Sequence, residues 1–313
     1  MTSKSDIKRN KIVVLGLDNA GKTSLVKLVR EKIVDFGNIT PTLGIDRNES
    51  KILDKIVSIH DFGGQKGYRD GYLEKDVLFS EADVLVFVID SKDMERLDLA
   101  IEYFESLIKI VQSIGLSPDF YLVIHKLDDK TEERIIPSRI RKISSAFENK
   151  ANENGIKIKD VFKTSIYRDW TCIEAFHEIF SSVAIRLENV DQFLESIVEE
   201  MEGLRGALIL DESGTMVARC NVEDEAAGRL LVRAFLEHKE DVKKLLPEKN
   251  PSVQISHDGK SVHMQKLHIA PELGSFFLVV WGELENYKIL EKKIIDMTFA
   301  LAVFLSITSE KKN

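Results

Sequence analysis

Between residues 16 and 23 the chain reads Gly16-Leu17-Asp18-Asn19-Ala20-Gly21-Lys22-Thr23, the pattern G-x-x-x-x-G-K-[ST]. Those residue types at that spacing can hold a polyphosphate. Glycines let the main chain wrap closely round it, and the N-terminus of a following helix presents unpaired N–H groups to it. In such a loop Lys22 would reach the β- and γ-phosphates, and the Thr23 hydroxyl would bind Mg²⁺. Asp18, Asn19, Ala20 and Ser24 complete the expected lining beside Gly16 and Gly21.

Further groups extend this chemistry. Asp61-Phe62-Gly63-Gly64-Gln65 can supply a carboxylate for Mg²⁺ (Asp61), an N–H for a γ-phosphate (Gly64) and a carboxamide that orients an attacking water (Gln65). Thr42, in Thr40-Pro41-Thr42-Leu43-Gly44, lies between the phosphate loop and Asp61. Its hydroxyl and amide could meet Mg²⁺ and the γ-phosphate only in the triphosphate state, which makes that loop an order–disorder switch. Thr40 is a rival for the same role. In His125-Lys126-Leu127-Asp128 the Asp128 carboxylate can accept from the N1–H and 2-amino groups of guanine, and adenine offers neither. The Lys126 stem would lie along the ring. Backbone N–H groups of Thr164-Ser165-Ile166 could reach the guanine O6.

The elements that must position these groups follow from the hydrophobic pattern. Short runs rich in Val, Ile and Phe predict strands at Lys11–Leu15, Val57–His60, Val84–Ile89, Phe120–Ile124 and Val161–Lys163. Helices are predicted at Lys22–Ile33, Met94–Ile114, Ser138–Glu153 and Ile173–Leu187. Strand–helix alternation implies an α/β fold, a doubly wound, mostly parallel sheet with helices on both faces. Each motif falls at or just after the carboxyl end of a strand, where such sheets bind ligands.

A different pattern begins near Asn189. A helix (Val190–Leu204) precedes a hairpin of Ala207–Leu210 and Thr215–Arg219 around a turn at Asp211-Glu212-Ser213-Gly214. A helix at Glu223–Leu246, strands at Ser252–Ser256, Ser261–Ile269 and Ser275–Trp281, and a last helix over Asn286–Ile307 follow. His257-Asp258-Gly259-Lys260 favours a tight turn. This is a smaller α+β domain with an antiparallel sheet, giving domains at 1–187 and 188–313. The apolar run from Met297 to Ile307 reads either as a helix buried within the protein or as a partner surface.

A formal net charge of −8 argues against general nucleic-acid binding, which needs a basic surface. Cys172 and Cys220, far apart in sequence, point to a reducing compartment and no disulfide framework. The longest apolar run falls far short of the roughly 20 residues of a membrane span. Thr2 and the closing Glu310-Lys311-Lys312-Asn313 lead us to expect neither N-myristoylation nor prenylation. The expected location is cytoplasmic, with membranes reached only through a partner complex. His263 and His268, five apart on one strand, face opposite ways and do not form a zinc set.

The motifs together resemble those of the regulatory GTPases, and most closely the Rag/Gtr family. Asp18-Asn19-Ala20 and Pro41-Thr42-Leu43-Gly44 look like the Arf/Sar branch. Gly63-Gly64-Gln65 is shared by Arf, Rag and heterotrimeric α-subunits. His125-Lys126-x-Asp128 with Thr164-Ser165-Ile166 is Rag/Gtr-like; most other families have Asn where His125 stands, and that Asn also braces the phosphate loop. Residues 189–313 look like the roadblock (longin-like) domain that follows the GTPase domain in Rag/Gtr proteins. The resemblance implies GTP and GDP as ligands with Mg²⁺, and slow hydrolysis of GTP. Lys22 would neutralise phosphate charge, Gln65 would place the water, and Thr42 and Gly64 would sense the γ-phosphate. It also implies homo- or heterodimerisation through 188–313, and activating and exchange proteins as partners. No Arg occurs in Phe36–Pro41, where heterotrimeric α-subunits carry an arginine finger, so an activating partner would supply one. The competing readings are a nucleotide-stabilised scaffold in which hydrolysis is minor, and an ATP-using enzyme, which Asp128 disfavours.

Overall fold

A computed structural model describes residues 9–31, 42–52, 55–128, 136–183, 187–199, 203–222, 225–244, 252–257, 260–267 and 275–282. They group into two compact units, one of residues 1–51 and 55–179 and the other of residues 52–54 and 180–313.

The first unit is built on a six-stranded sheet of β1 (Arg9–Leu15), β2 (Ile45–Ile52), β3 (Lys55–Phe62), β4 (Ala82–Asp90), β5 (Asp119–His125) and β6 (Ile158–Lys163), in the order β2-β3-β1-β4-β5-β6. The pairs β1·β3, β1·β4, β4·β5 and β5·β6 are all parallel. The central strands are apolar almost without alternation because both faces are covered: Val84 to Ile89 and Phe120 to Ile124 are all buried. Helices α1 (Lys22–Glu31), α2 (Lys66–Leu73), α3 (Leu97–Ser113), α4 (Ile136–Glu153) and α5 (Asp169–Val183) accompany it. On α3, Leu97, Ala100, Phe104, Leu107, Ile108 and Val111 recur at three- and four-residue steps and form one buried stripe. Phe104 stands against Phe87, Phe120 and Phe147 at ring-centroid distances of 5.3, 5.9 and 5.1 Å.

Strand order places the site. The chain runs from β3 across β1 to β4, so the sheet reverses direction beside β1, and a crevice opens at the carboxyl end of that strand. The phosphate loop is the connection that leaves it.

The second unit has a five-stranded sheet of β7 (Leu204–Asp211), β8 (Met216–Cys220), β9 (Ser252–His257), β10 (Lys260–Leu267) and β11 (Phe276–Gly282), ordered β8-β7-β11-β10-β9 with every neighbour antiparallel. Helix α6 (Leu187–Glu199) packs on β7 and β8, and α7 (Glu225–Lys244) on β9, β10 and β11. The β7–β8 turn is closed by the Asp211 carboxylate, which accepts from the N–H groups of Ser213 and Thr215 at 2.9 and 2.8 Å.

The strands read from sequence are present, with ends moved by a few residues. Four differences have physical causes. β2 is a charged edge strand (IDRNESKI) whose sequence carries no clear apolar period. α2 has eight residues, two of them glycine, too short for a helical pattern to register. Helix α6 ends at Glu199 rather than Leu204, because Leu204 already pairs with Gly282 in the sheet. Helix α3 is preceded by a 3₁₀ turn at Met94–Arg96 rather than starting at Met94. The expected last helix, Thr40, the Phe36–Pro41 stretch, His268 and the tip of the 257–260 turn lie outside the described residues. Among the described residues no helix is long and apolar enough to cross a membrane.

Because Phe104 joins three rings in one closed cluster, Phe104→Ala is expected to destabilise the first unit by about 3–5 kcal/mol. Urea unfolding in a Trp281→Phe background, where buried Trp170 reports on this unit, should show the midpoint fall with the slope unchanged.

Candidate functional site

A cleft of about 270 Å³ opens at the carboxyl ends of β1 and β3, lined by Asp18, Asn19, Gly21, Lys22, Thr23, Ser24, Thr42, Gly63, Gly64 and Gln65. Three sequence segments that were singled out for phosphate chemistry therefore meet in one place. Gly16 and Ala20, also expected there, are not among the lining residues.

Lys22 is 5% exposed. Its Nζ donates to the main-chain oxygens of Leu17 at 2.8 Å and Gly16 at 3.2 Å, so the lysine closes its own loop into a ring. Burial is the main force pulling its pKa down, to about 8; Asp61 and Asp18 oppose that and Arg69 adds to it.

Three oxygens converge beside it. Thr23 Oγ1 lies 2.6 Å from Asp61 Oδ2 and 2.6 Å from Thr42 Oγ1, and Thr42 Oγ1 lies 3.0 Å from Asp61 Oδ2. Asp61 Oδ1 is buried and has no hydrogen-bond partner among the described residues. Burial raises the Asp61 pKa, against the hydrogen bonds from Thr23 and Thr42 and the charge of Lys22. Two hydroxyls and a carboxylate with one oxygen unpartnered are hard oxygen donors, the set that suits Mg²⁺.

The segments on either side of the loop are tied to it through backbone. The Gly64 oxygen accepts from Asp18 N–H at 2.9 Å. A Cβ on Gly64 would stand 2.3 Å from Asp18 N and 2.4 Å from the Leu17 carbonyl carbon, so only glycine permits this approach. The Gly44 oxygen accepts from Gly63 N–H at 2.8 Å and from the Tyr72 hydroxyl at 2.7 Å. Gln65 is exposed at the cleft mouth as the N-cap of α2, and its carboxamide makes no hydrogen bond among the described residues.

A second group adjoins the loop at the ends of β5 and β6. Asp128 takes the Ser165 hydroxyl on Oδ1 at 2.5 Å and faces Lys92 Nζ at 3.4 Å on Oδ2. A carboxylate has about four acceptor positions, so two remain. Lys126 Nζ pairs with Asp90 at 2.8 Å and donates to the Asn19 oxygen. The imidazole of His125 is buried: Nδ1 bonds the Thr164 hydroxyl at 2.7 Å, and the ring's other edge lies under Gly21, whose Cβ, if present, would be 2.5 Å from Cδ2. His125 thus braces the phosphate loop sterically. Of the amides expected to reach a base oxygen, Thr164 N–H is engaged by the Ile124 oxygen at 2.9 Å and Ser165 N–H by the Thr171 hydroxyl at 3.1 Å. Continuation of the β5–β6 pairing and the Thr171 side chain take those two, leaving Ile166 N–H without an acceptor among the described residues.

With this geometry in hand, comparison with known proteins is decisive on ancestry. Residues 11–239 match the model of the Gtr1/RagA G protein conserved region. The chain belongs to the Gtr1/RagA G protein family. The matched region continues past the first unit, through α6, β7 and β8 into α7. The chain is 41% identical over 87 residues to ADP-ribosylation factor-like protein 3 of Chlamydomonas reinhardtii, covering 28% of this chain and 46% of that protein. It is 37% identical over 95 residues to ADP-ribosylation factor-like protein 2 of Dictyostelium discoideum, covering 30% and 49%. The chain thus spans about half the length of each of these two relatives. Against ADP-ribosylation factor-like protein 2 of Arabidopsis thaliana it is 29% identical over 188 residues, covering 60% and 95%. The solved structure of the Arl6 BBS3 small GTPase from Trypanosoma brucei with bound GppNp aligns with a TM-score of 0.45 at 20% identity, over 56% of this chain and 98% of that one.

Several residues of this Gtr1/RagA-family site carry no signal in the sequence pattern. Tyr72 holds Gly44 from within α2. Arg69, 7% exposed, lies 5.2 Å from the centre of the Tyr103 ring, and its Nε has no hydrogen-bond partner among the described residues. The ring face is what stabilises that cation. Arg96 reaches the phosphate loop across 78 residues of sequence. No local spacing announces such contacts.

Burial pulls the pKa of His125 down to about 4, so the folded protein keeps it neutral. Above the unfolded value of about 6.5 the residue is neutral in both states and contributes no pH dependence. As the pH falls below that, the unfolded chain takes up a proton that the folded chain refuses, and stability is lost down to about pH 4. The loss attributable to this residue is on the order of 3 kcal/mol. Urea titrations between pH 7 and 4 should show His125→Asn losing stability less steeply than the parent chain.

Proposed function

We propose that the chain is a guanine-nucleotide switch of the Rag/Gtr type, which binds GTP and GDP with Mg²⁺ and slowly hydrolyses GTP to GDP and phosphate. The observation that carries this reading is the position of Thr42. A residue from the loop after α1 has its hydroxyl 2.6 Å from Thr23 and 3.0 Å from Asp61, so the loop that would sense a γ-phosphate already meets the groups that would hold its metal.

Mg²⁺, held by Thr23, Thr42 and Asp61, would supply neutralisation of the phosphate oxygens. Lys22 adds a second positive charge beside the β- and γ-phosphates. The N–H groups of Asn19, Gly21 and the first turn of α1 bind the phosphate chain. Gln65, exposed and unbonded at the cleft mouth, orients the water that attacks the γ-phosphorus as the bond to the β-phosphate oxygen breaks. Gly64 responds to the γ-phosphate through its link to Asp18. On the base side, Asp128 selects guanine, Lys126 flanks the ring, Ser165 fixes Asp128, and Ile166 N–H faces the base oxygen. His125 joins the two halves of the site.

Residues 1–187 would be the nucleotide-binding domain and 188–313 a roadblock-type assembly domain, forming homo- or heterodimers. The five-stranded antiparallel sheet with a helix on each strand group supports that reading of the second half. An activating partner that brings an arginine, and an exchange partner, would set the rate and the nucleotide state. The proposed setting is cytoplasmic, with membrane contact made by partners and no role for nucleic acid.

Denaturing the purified protein and resolving the released nucleotide by ion exchange should yield GDP. Single-turnover hydrolysis should run on the order of 10⁻⁴–10⁻² s⁻¹ without a partner. Gln65→Leu should lower it by about tenfold or more, with affinity for GTP little changed. Release of adenine nucleotides would overturn the role of Asp128; stoichiometric GTP that does not turn over would replace the switch with a scaffold.

A further inference from the structure

Asp18 lines the cleft that would hold a triphosphate and so brings a carboxylate close to it. By charge alone that is an unfavourable neighbour for phosphate. The fold answers it with Arg96. Nη1 of Arg96 donates to Asp18 Oδ1 at 2.9 Å, and Nη2 donates to the Asp18 main-chain oxygen at 3.3 Å. Nε donates to Asp93 Oδ2 at 2.6 Å. Every nitrogen of the guanidinium is engaged, one edge on Asp93 and the other on Asp18, which suits a planar fork and not an ammonium. The fork has a rigid mount. Arg96 is the residue before α3, and Leu97 and Ala100 of that helix are 4% and 1% exposed.

The effect is felt in the main chain. Across a trans peptide the C=O and the next N–H point in opposite directions. The Asp18 oxygen is drawn to Arg96, so Asn19 N–H points away from Arg96. The Asn19 oxygen is held in turn by Lys126. Asn19 has φ of 61°, the left-handed region that a residue with a side chain avoids without restraint. Its peptides are restrained on both sides by a cation on a carbonyl. Neighbouring donors are already engaged: Asp18 N–H by Gly64 and Ala20 N–H by the Leu17 oxygen at 3.4 Å. Among the described residues, Asn19 N–H has no acceptor, and Asn19 lines the cleft.

We infer that Arg96 is a positioning residue of the phosphate site: acting through Asp18, it turns Asn19 N–H toward the terminal phosphates of a nucleoside triphosphate and holds the Asp18 carboxylate away from them. The inference rests on the guanine-nucleotide reading above and adds a residue to it. Arg96 touches neither ligand nor metal. Its influence is largest for the triphosphate, because a released Asp18 carboxylate at the cleft wall repels the added terminal charge most.

The test is equilibrium binding of fluorescent GppNp and GDP, with Mg²⁺, to the full chain and to Arg96→Ala, Arg96→Lys, Asp18→Asn and the Asp18→Asn/Arg96→Ala double variant. Loss of a charge-assisted hold of this kind should weaken GppNp by about tenfold in Arg96→Ala. GDP should weaken by about threefold at most. Arg96→Lys should recover part of the loss. In the Asp18→Asn background, Arg96→Ala should cost clearly less than it does alone, since the repelling charge is already gone. Unchanged GppNp binding in Arg96→Ala, equal losses for both nucleotides, or full additivity with Asp18→Asn would each overturn the inference while leaving the guanine reading in place. A parent chain that binds neither nucleotide would remove both.

Discussion

The buried ammonium of Lys22 is the constraint round which the rest of the first unit is arranged. At 5% exposure it has left water, and its own loop returns only two carbonyl oxygens. The carboxylates of Asp61 and Asp18 help, yet burial prevails and its pKa falls to about 8. A cation in that position is under-solvated, and an anion entering the cleft completes it. The same logic runs along the loop. The carbonyls of Gly16 and Leu17 are taken by Lys22, that of Asp18 by Arg96 and that of Asn19 by Lys126. With their oxygens bound by cations, these peptides are fixed in orientation before any ligand arrives, and fixed donors lose little entropy on binding.

Such a loop needs rigid walls, and the sheet supplies them. β1 sits between β3 and β4, and β3, β4 and β5 bring Asp61, Asp90 and His125 to the same end. His125 is the piece that joins the base side to the phosphate side: one ring nitrogen on Thr164 beyond β6, the other edge against Gly21. An amide at this position would brace by hydrogen bonding. The imidazole braces by filling space, which makes the absence of a side chain at Gly21 a packing requirement.

What can be read from the sequence follows from the range of the physics involved. Apolar runs such as Ile12 to Leu15 report burial on both faces, so β1, β4 and β5 are legible, as is the Asp211 turn, whose carboxylate acts within four residues. The eight-residue phosphate loop and Asp61 announce themselves because their chemistry is local. β2 and α2 do not, since a charged edge strand and a glycine-bearing helix owe their existence to neighbours. Arg69, Tyr72 and Arg96 are illegible for the same reason: each acts across tertiary contacts on a group far off in sequence. At His125 the departure from Asn is visible, but its consequence is not, because the fit of an imidazole under Gly21 exists only in three dimensions.

The segments that would respond to ligand are held by a particular kind of contact. Thr42 meets Thr23 and Asp61, Gly44 meets Gly63 and Tyr72, and Gly64 meets Asp18, all through polar groups. Leu43, between two of these anchors, is 77% exposed and adds no apolar burial. A protein hydrogen bond contributes about 0.5–1.5 kcal/mol net, so this docking rests on a few kcal/mol. That is the range a ligand can move through differential contacts with two states. The stripe on α3 is different: Phe104 and its three aromatic neighbours are locked by apolar packing that no phosphate can alter. The fold therefore separates what must stay fixed from what can answer a ligand by the chemistry of the contact. Arg96 stands at the junction, its backbone leading into the apolar stripe and its guanidinium on the loop.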